Sequence, residues 1–279
     1  AITGGTGKAG AHLLGTASVP AAAGVTTFSG LSIDSAGTGY TLTATATGPS
    51  TATSGSFDIT PGSPSASQST LSVSSGTVIS ANAVTLKLRA RDAFGNYLTT
   101  GGATVVFTYS GGTSTGTISA TADSATGVYT ATFTGVLAGS ATTIGATINT
   151  VAVTSTLPTI TVTPNNATRL AFFVQPTNVN TNTAISPAVV VRAVDAAGNV
   201  DPTFTGSGFS IVLQITSGTG TSGAVLTGGG VIDAVNGVAT FSLLKIDLAG
   251  TGYTLTASAI AVGPPPADAT STAFNVVAP

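Results

Sequence analysis

Cysteine, methionine, tryptophan and glutamate are all absent from this 279-residue chain, and charged residues make up only 6% of it. Without Cys there is no disulfide, no thiolate metal site and no Cys nucleophile. The nine acidic residues are therefore all Asp, and against seven Lys or Arg they leave a formal net charge of −2. So small an imbalance gives no long-range field to attract nucleic acid or an anionic membrane surface, and neither is expected as a partner. No apolar run reaches the roughly 18 residues of a membrane span before Gly, Thr or Pro interrupts it. The first residues, AITGGTGKAG, lack the basic start and apolar core of a signal peptide, and with no initiator Met the chain reads as a mature or excised segment of something larger.

The shortage of Glu, Lys and Met removes most of the good helix formers, and what remains favours strands and tight turns: Thr, Val, Ile and Phe, with 36 Gly. A hydrophobic content of 42% with charge near zero is unlike a disordered chain, so folding is expected. This is an all-β composition. A surface with so little charge also lacks the repulsion that keeps copies apart, which favours association.

The chain repeats itself. Residues 2–46 lie over residues 215–259 without a gap at a constant offset of 213, so position 1 falls inside a repeat. Self-similarity of this kind indicates stacked or strung structural units. Three modules are expected: 1–62, the C-terminal part of one; 63–163; and 164–279. The linkers TPGSPSASQ and TVTPNNATR separate them. Such short, Pro-bearing junctions leave little swing, and a fairly stiff rod is the expected shape.

Period-two patterns mark the strands. In VTLKLRAR, Val84, Leu86, Leu88 and Ala90 alternate with Thr85, Lys87, Arg89 and Arg91, which gives one buried and one wet face. Val105, Phe107 and Tyr109 form another such run, and so do Tyr129, Ala131 and Phe133. In the third module Leu170, Phe172 and Val174 open the pattern, and Phe209, Ile211, Leu213 and Ile215 continue it. Short strands with turn signals between them are the signature of a sandwich or barrel. Phe28, Phe107, Phe133 and Phe241 are expected as core anchors.

Two elements recur. RDAFGN at 91–96 corresponds to VDAAGN at 194–199, an offset of 103. Gly95 and Gly198 can take positive φ, and Asp92 or Asp195 can bond the turn backbone, so closing a strand-to-strand turn is the favoured role. The rival is calcium binding, for which Asp92 with Asn96, or Asp195 with Asn199 and Asp201, supply few oxygen ligands. The other element is IDSAGTGYTLTA at 33–44 and IDLAGTGYTLTA at 246–257. At such a corner Tyr40 or Tyr253 can return its hydroxyl to nearby backbone, as in immunoglobulin-like sandwiches. Sugar stacking by either Tyr is the weaker reading, since no second aromatic sits close in sequence to make a platform.

TLSVSSGTVISANAVTLKLRARDAFGNYLTTGGATVVFTYSGG, followed by ATGVYTATFTG, resembles the bacterial immunoglobulin-like domains of invasin- and intimin-type surface proteins. The stretch from ATRLAFFVQPTNV through VDAAGNVD to IDLAGTGYTLTASA resembles a related type from large repetitive bacterial extracellular proteins. The resemblance implies tandem immunoglobulin-like β-sandwiches in a rod-like array, the first one incomplete, and an extracellular or cell-surface location. It brings no catalytic or ligand residues with it. The second module departs at its corner, reading VLAGSATTIGATI without the Tyr, so packing alone is expected to close it there.

Chemistry is sparse. The single His, His12, is expected to be an ordinary surface or edge residue, because triad catalysis would have to be built around it without a GxSxG elbow. GTGKAG at 5–10 lacks the phosphate-loop pattern, and its counterpart GTGTSG at 218–223 has no Lys. An isopeptide crosslink would need a buried Lys beside an acid, and Lys87 alternates toward the wet face. Asn166–Thr168 matches a glycosylation sequon. No catalytic residue, cofactor or metal is assigned.

Residues 1–62 correspond only to the later strands of a sandwich, so covering strands are expected from upstream repeats of the same polypeptide or from a neighbouring copy. The expected function is a non-enzymatic structural segment of a bacterial extracellular fibre or cell-surface protein. Its expected partners are neighbouring copies or repeats, with a cell-surface or glycan receptor in addition. The rivals are an adhesin stalk or receptor-binding region and, less favoured in the absence of Trp, a carbohydrate-binding accessory module.

Overall fold

Strands in this protein run from two to eight residues, and turns rich in Gly separate them. Twenty-eight of them and no helix appear in the computed structural model, which describes all residues from Ala1 to Pro279. No helix is therefore long and apolar enough to cross a membrane.

The middle part of the chain packs two sheets face to face. In one, Gly116–Ile118, Val128–Gly135, Ala83–Arg89 and Thr70–Val73 lie side by side in that order, with Ala122–Asp123 also paired to Val128–Gly135. The other runs Val105–Ser110, Thr142–Ile148, Thr159–Thr163 and then Thr77–Ile79, the last pair parallel. The first strand region thus divides between the sheets, with Thr70–Val73 in one and Thr77–Ile79 in the other. The alternation of VTLKLRAR holds: Val84, Leu86, Leu88 and Ala90 are buried while Thr85 and Lys87 are exposed. Phe133 stands fully buried, its ring 5.5 Å from Tyr109 in an edge-to-face arrangement. An 18-residue core results, from Leu71 to Val162.

A second 18-residue core runs from Leu170 to Val276. Its longest pairing is Phe209–Ile215 against Leu255–Ala261, in unbroken antiparallel register from Phe209↔Ala261 to Ile215↔Leu255. Val189–Val194 lies between Arg169–Val174 and Val238–Phe241. Val179–Asn180 runs parallel to Phe274–Val277, repeating the parallel first-to-last pairing of the preceding sandwich.

Residues 1–62 contain three small two-stranded sheets, among them Leu13–Leu14 with Ser32–Ile33 and Gly37–Tyr40 with Phe57–Ile59. Only Ile33 and Tyr40 are buried here. The expectation that Phe28 anchors a core is not met. Phe28 is 41% exposed, whereas Phe241, its counterpart in the repeat, is 1% exposed. The difference is physical: Phe241 pairs with Val189 of the strand Val189–Val194, and no equivalent strand stands over Phe28. Phe28, Leu13, Leu31 and Leu42 instead line an open groove of about 320 Å³. Phe107, Phe133 and Phe241 are buried as expected.

Replacing Phe133 by Ala empties a fully buried site and should destabilise the middle sandwich by about 3–5 kcal/mol. Phe28→Ala, at a half-exposed site, should cost less than about 1 kcal/mol. Amide hydrogen exchange read separately for each sandwich under increasing urea checks both.

Candidate functional site at the module junctions

The recurrent Asp-x-x-Gly-Asn turns close hairpins and also reach beyond them. Bridges Arg91↔Tyr97 and Val194↔Val200 flank the two turns. Within them the N–H of Gly95 donates to the carbonyl of Asp92, and that of Gly198 to Asp195. Gly95 and Gly198 take φ of 83° and 96°, the left-handed conformation that a Cβ would penalise.

Each Asp carboxylate is saturated by N–H donors. Asp92 Oδ1 accepts from the backbones of Phe94 and Asn96 at 2.9 Å each; its Oδ2 accepts from the Asn96 side chain and from the backbone of Gly62, also at 2.9 Å. Asp195 repeats the pattern with Ala197, Asn199 and, from the linker, Asn165 at 3.1 Å. The linker residues Gly62 and Asn165 are thereby tied to the sandwich they introduce. Burial opposes ionisation of Asp92 and Asp195, but hydrogen bonds from the Asn side chain and the backbone amides outweigh it and hold both below the ordinary 3.8. Asp92 and Asp195 are both buried, at 3% and 1% exposure.

Held in this way, the Asn carboxamide points into the preceding module. Asn96 Nδ2 donates to the carbonyl of Asp34 at 2.8 Å, and its Oδ1 accepts from the N–H of Ala36 at 3.0 Å. Asn199 donates to Val136 and accepts from Ala138, both at 2.8 Å. One planar side chain thus satisfies a C=O and an N–H two residues apart, as a neighbouring strand would. The same contact therefore forms on both sides of the middle sandwich. The turn reading accounts for the strand connection, and sequence inspection missed the contact to the preceding module. The signal available was that Asn96 and Asn199 recur beside Gly, where the turn alone asks nothing of the Asn side chain.

The loop that receives each Asn is prepared from behind. Tyr40 and Tyr253 are buried, and each donates its hydroxyl to a corner carbonyl, Ser35 and Leu248 respectively, at 2.8 Å. Ser35 lies between the two residues that Asn96 grips. The rings press on Gly7 and Gly220, positions where an added Cβ would overlap the ring. In the middle module the expectation that packing alone closes the corner is corrected. Val136 donates its N–H to Thr115 at 2.8 Å, Leu137 accepts from the Thr115 N–H at 3.0 Å, and the buried Ser80 hydroxyl donates to Val136 at 2.9 Å. Ser80 also accepts from Asn199 at 3.2 Å, so it joins the junction itself.

His12 lies on the surface, 75% exposed, with Nδ1 2.9 Å from Asp34 Oδ2. Its backbone N–H donates to Asp34 Oδ1, as Val225 does to Asp247 in the repeat, so the Asp serves the loop with or without a His. No group of three or more acidic or His side chains converges anywhere in the chain. Asp201, grouped with Asp195 in the calcium reading, instead accepts from the backbones of Ala167 and Thr203 at 2.8 Å. Asn166 is exposed.

Residues 65–165 match the family described as invasin, domain 3. The match takes in the middle sandwich and not the rest of the chain. No curated protein matches the chain. Among solved structures, the Yersinia pseudotuberculosis adhesin InvE is 20% identical at a TM-score of 0.38, the match covering 76% of this chain and 60% of that one. The Escherichia coli adhesin FdeC is 19% identical at 0.44, over 99% of this chain and 84% of that one. Invasin, titled a bacterial integrin-binding protein, is 16% identical at 0.40, over 87% and 48%. The chain therefore spans less than two thirds of the length of InvE and of invasin.

Asn199→Ala should leave the Val136 carbonyl and the Ala138 N–H without partners, at a cost of about 1–3 kcal/mol to the junction, and should speed amide exchange at Ala138 while the cores stay protected. Acid should act through Asp92 and Asp195. Their folded-state pKa is depressed, so the stability they add is fully present above 3.8 and is lost as pH falls through the lowered value. Exchange at Ala36 and Ala138, scaled for intrinsic rate, should therefore rise below pH 3.8 before the sandwich cores open.

Proposed function

We propose that this chain is a non-enzymatic spacer segment of a bacterial cell-surface or extracellular protein, a stalk of tandem immunoglobulin-like modules of the kind adhesins use. The observation that carries the reading is the repeated junction: the same Asp–Asn pair fixes both boundaries. A protein whose work is to span distance needs each joint defined, and a chain of independent beads does not. The match of residues 65–165 to an invasin domain supports the cell-surface placing.

Modules at 1–62, 63–163 and 164–279 form the units of this stalk. Linkers held by hydrogen bonds to Asp92 and Asp195 support a stiff, extended arrangement. Exposed apolar residues of the first module, Phe28 and Val25 among them, support contact with further β-structure of like repeats or of a neighbouring copy. Any receptor, protein or glycan, belongs to the complete surface protein; the segment's own contribution is reach and stiffness.

Small-angle X-ray scattering tests the reading. The wild-type chain should scatter as an extended, nearly rigid particle. The N96A/N199A double variant should show a broader spread of dimensions with both large cores intact by hydrogen exchange. A compact particle, or a double variant with unchanged scattering, would remove the basis of the proposal.

A further inference from the structure

The third module carries the same receiving loop, and in this chain nothing occupies it. Asp247, Leu248 and Ala249 correspond to Asp34, Ser35 and Ala36 at the repeat offset of 213. The supports are the same. Tyr253 donates its hydroxyl to the Leu248 carbonyl at 2.8 Å, Asp247 Oδ1 accepts from the Val225 N–H at 2.7 Å, and the next strand, Gly250–Tyr253, pairs with the last one, Phe274–Val277, with the same irregularity in register. The Thr221 hydroxyl adds a bond to the Ala249 carbonyl. Yet the two groups that an Asn would grip, the Asp247 carbonyl and the Ala249 N–H, make no hydrogen bond within the chain. Ala36 and Ala138, which are gripped, are half-buried; Ala249 is exposed.

Building on the junction reading above, we propose that the Asp247–Leu248–Ala249 corner is a docking site for a further immunoglobulin-like module, which enters it with the Asn of an Asp-x-x-Gly-Asn turn. Three features select this occupant. The site offers one acceptor and one donor two residues apart, which a carboxamide matches and a carboxylate or an ammonium does not. Its shape is held in advance by Tyr253 and Asp247, which lowers the cost of ordering the corner on binding. The same loop takes this same occupant at Asp34–Ala36, and the Val136–Ala138 loop does so by other supports. Both Asn turns of the chain are already engaged, at Asp34 and Val136, so the incoming turn is that of another module. Leu248, exposed at the tip, adds apolar area for it to cover.

The test extends the full chain at Pro279 with a second copy of residues 165–279, which restores a Pro–Asn joint and brings in a free Asp195–Asn199 turn. Exchange at the Ala249 amide of the original part should slow roughly tenfold or more relative to the unextended chain. The slowing should vanish when only the appended copy carries Asn199→Ala. A second extension, with residues 62–163 and its Asp92–Asn96 turn, should slow Ala249 in the same way and covers the case in which the first added copy does not fold. Ala138 reports in every sample on the junction already present. Fast exchange at Ala249 beside a protected Ala138, with the added module folded, would overturn the docking proposal and leave the junction standing. Fast exchange at both would overturn the junction reading, and the docking proposal with it.

Discussion

At each boundary a buried Asn carboxamide ties a sandwich to the corner loop of the part of the chain before it. Asn96 and Asn199 are at most 9% exposed, so their polar atoms have no solvent to fall back on. A buried amide must be matched or it costs the full desolvation of its groups, whereas a matched one gains a modest net amount. That asymmetry makes the contact specific. The preceding module must present a carbonyl and an N–H in the right relation, or docking is penalised. The Asp beside each Asn orients the carboxamide and holds the incoming linker at once.

The receiving loop is reached by two routes. In the first and third modules a buried Tyr hydroxyl pins the carbonyl at the tip of the corner; in the middle module Thr115 and Ser80 hold the flanking residues through backbone and hydroxyl bonds. Different cores therefore present the same acceptor and donor. A junction that asks for backbone groups alone at one side places few demands on the sequence there, since any residue supplies a C=O and all but Pro an N–H. This explains how Asp34 and Val136, chemically unlike, serve Asn96 and Asn199 in the same way.

Much of the fold was legible in the residues. Alternation at Val84 to Ala90 and at Phe209 to Ile215 gives the strands directly, because in a two-layer sandwich each side chain faces either the core or water. The Tyr corners were legible for the same reason: a buried hydroxyl needs a partner, and the adjacent turn supplies backbone carbonyls. Phe28 shows where this kind of reading stops. Its alternation is that of Phe241, but burial depends on a strand distant in sequence, and local pattern does not contain it. The junction was half legible. Asp92, Gly95 and Asn96 announce a turn, and Gly95 delivers the positive φ. The target of Asn96 lies 62 residues back, in two backbone groups that leave no mark in the sequence.

The composition and the junction chemistry fit together. With 6% charged residues, the surface offers few ion pairs from which to build joints. Exposed ion pairs are in any case weak and screened by salt, and as joints they would soften whenever ionic strength rose. The interface bonds made by Asn96 and Asn199 are between neutral groups, and the Asp92 carboxylate behind Asn96 is enclosed by four N–H donors. Such a joint responds little to salt and weakens in acid as that carboxylate takes a proton. For the spacer role proposed above, a joint of this kind rests on buried geometry and does not track the ionic surroundings.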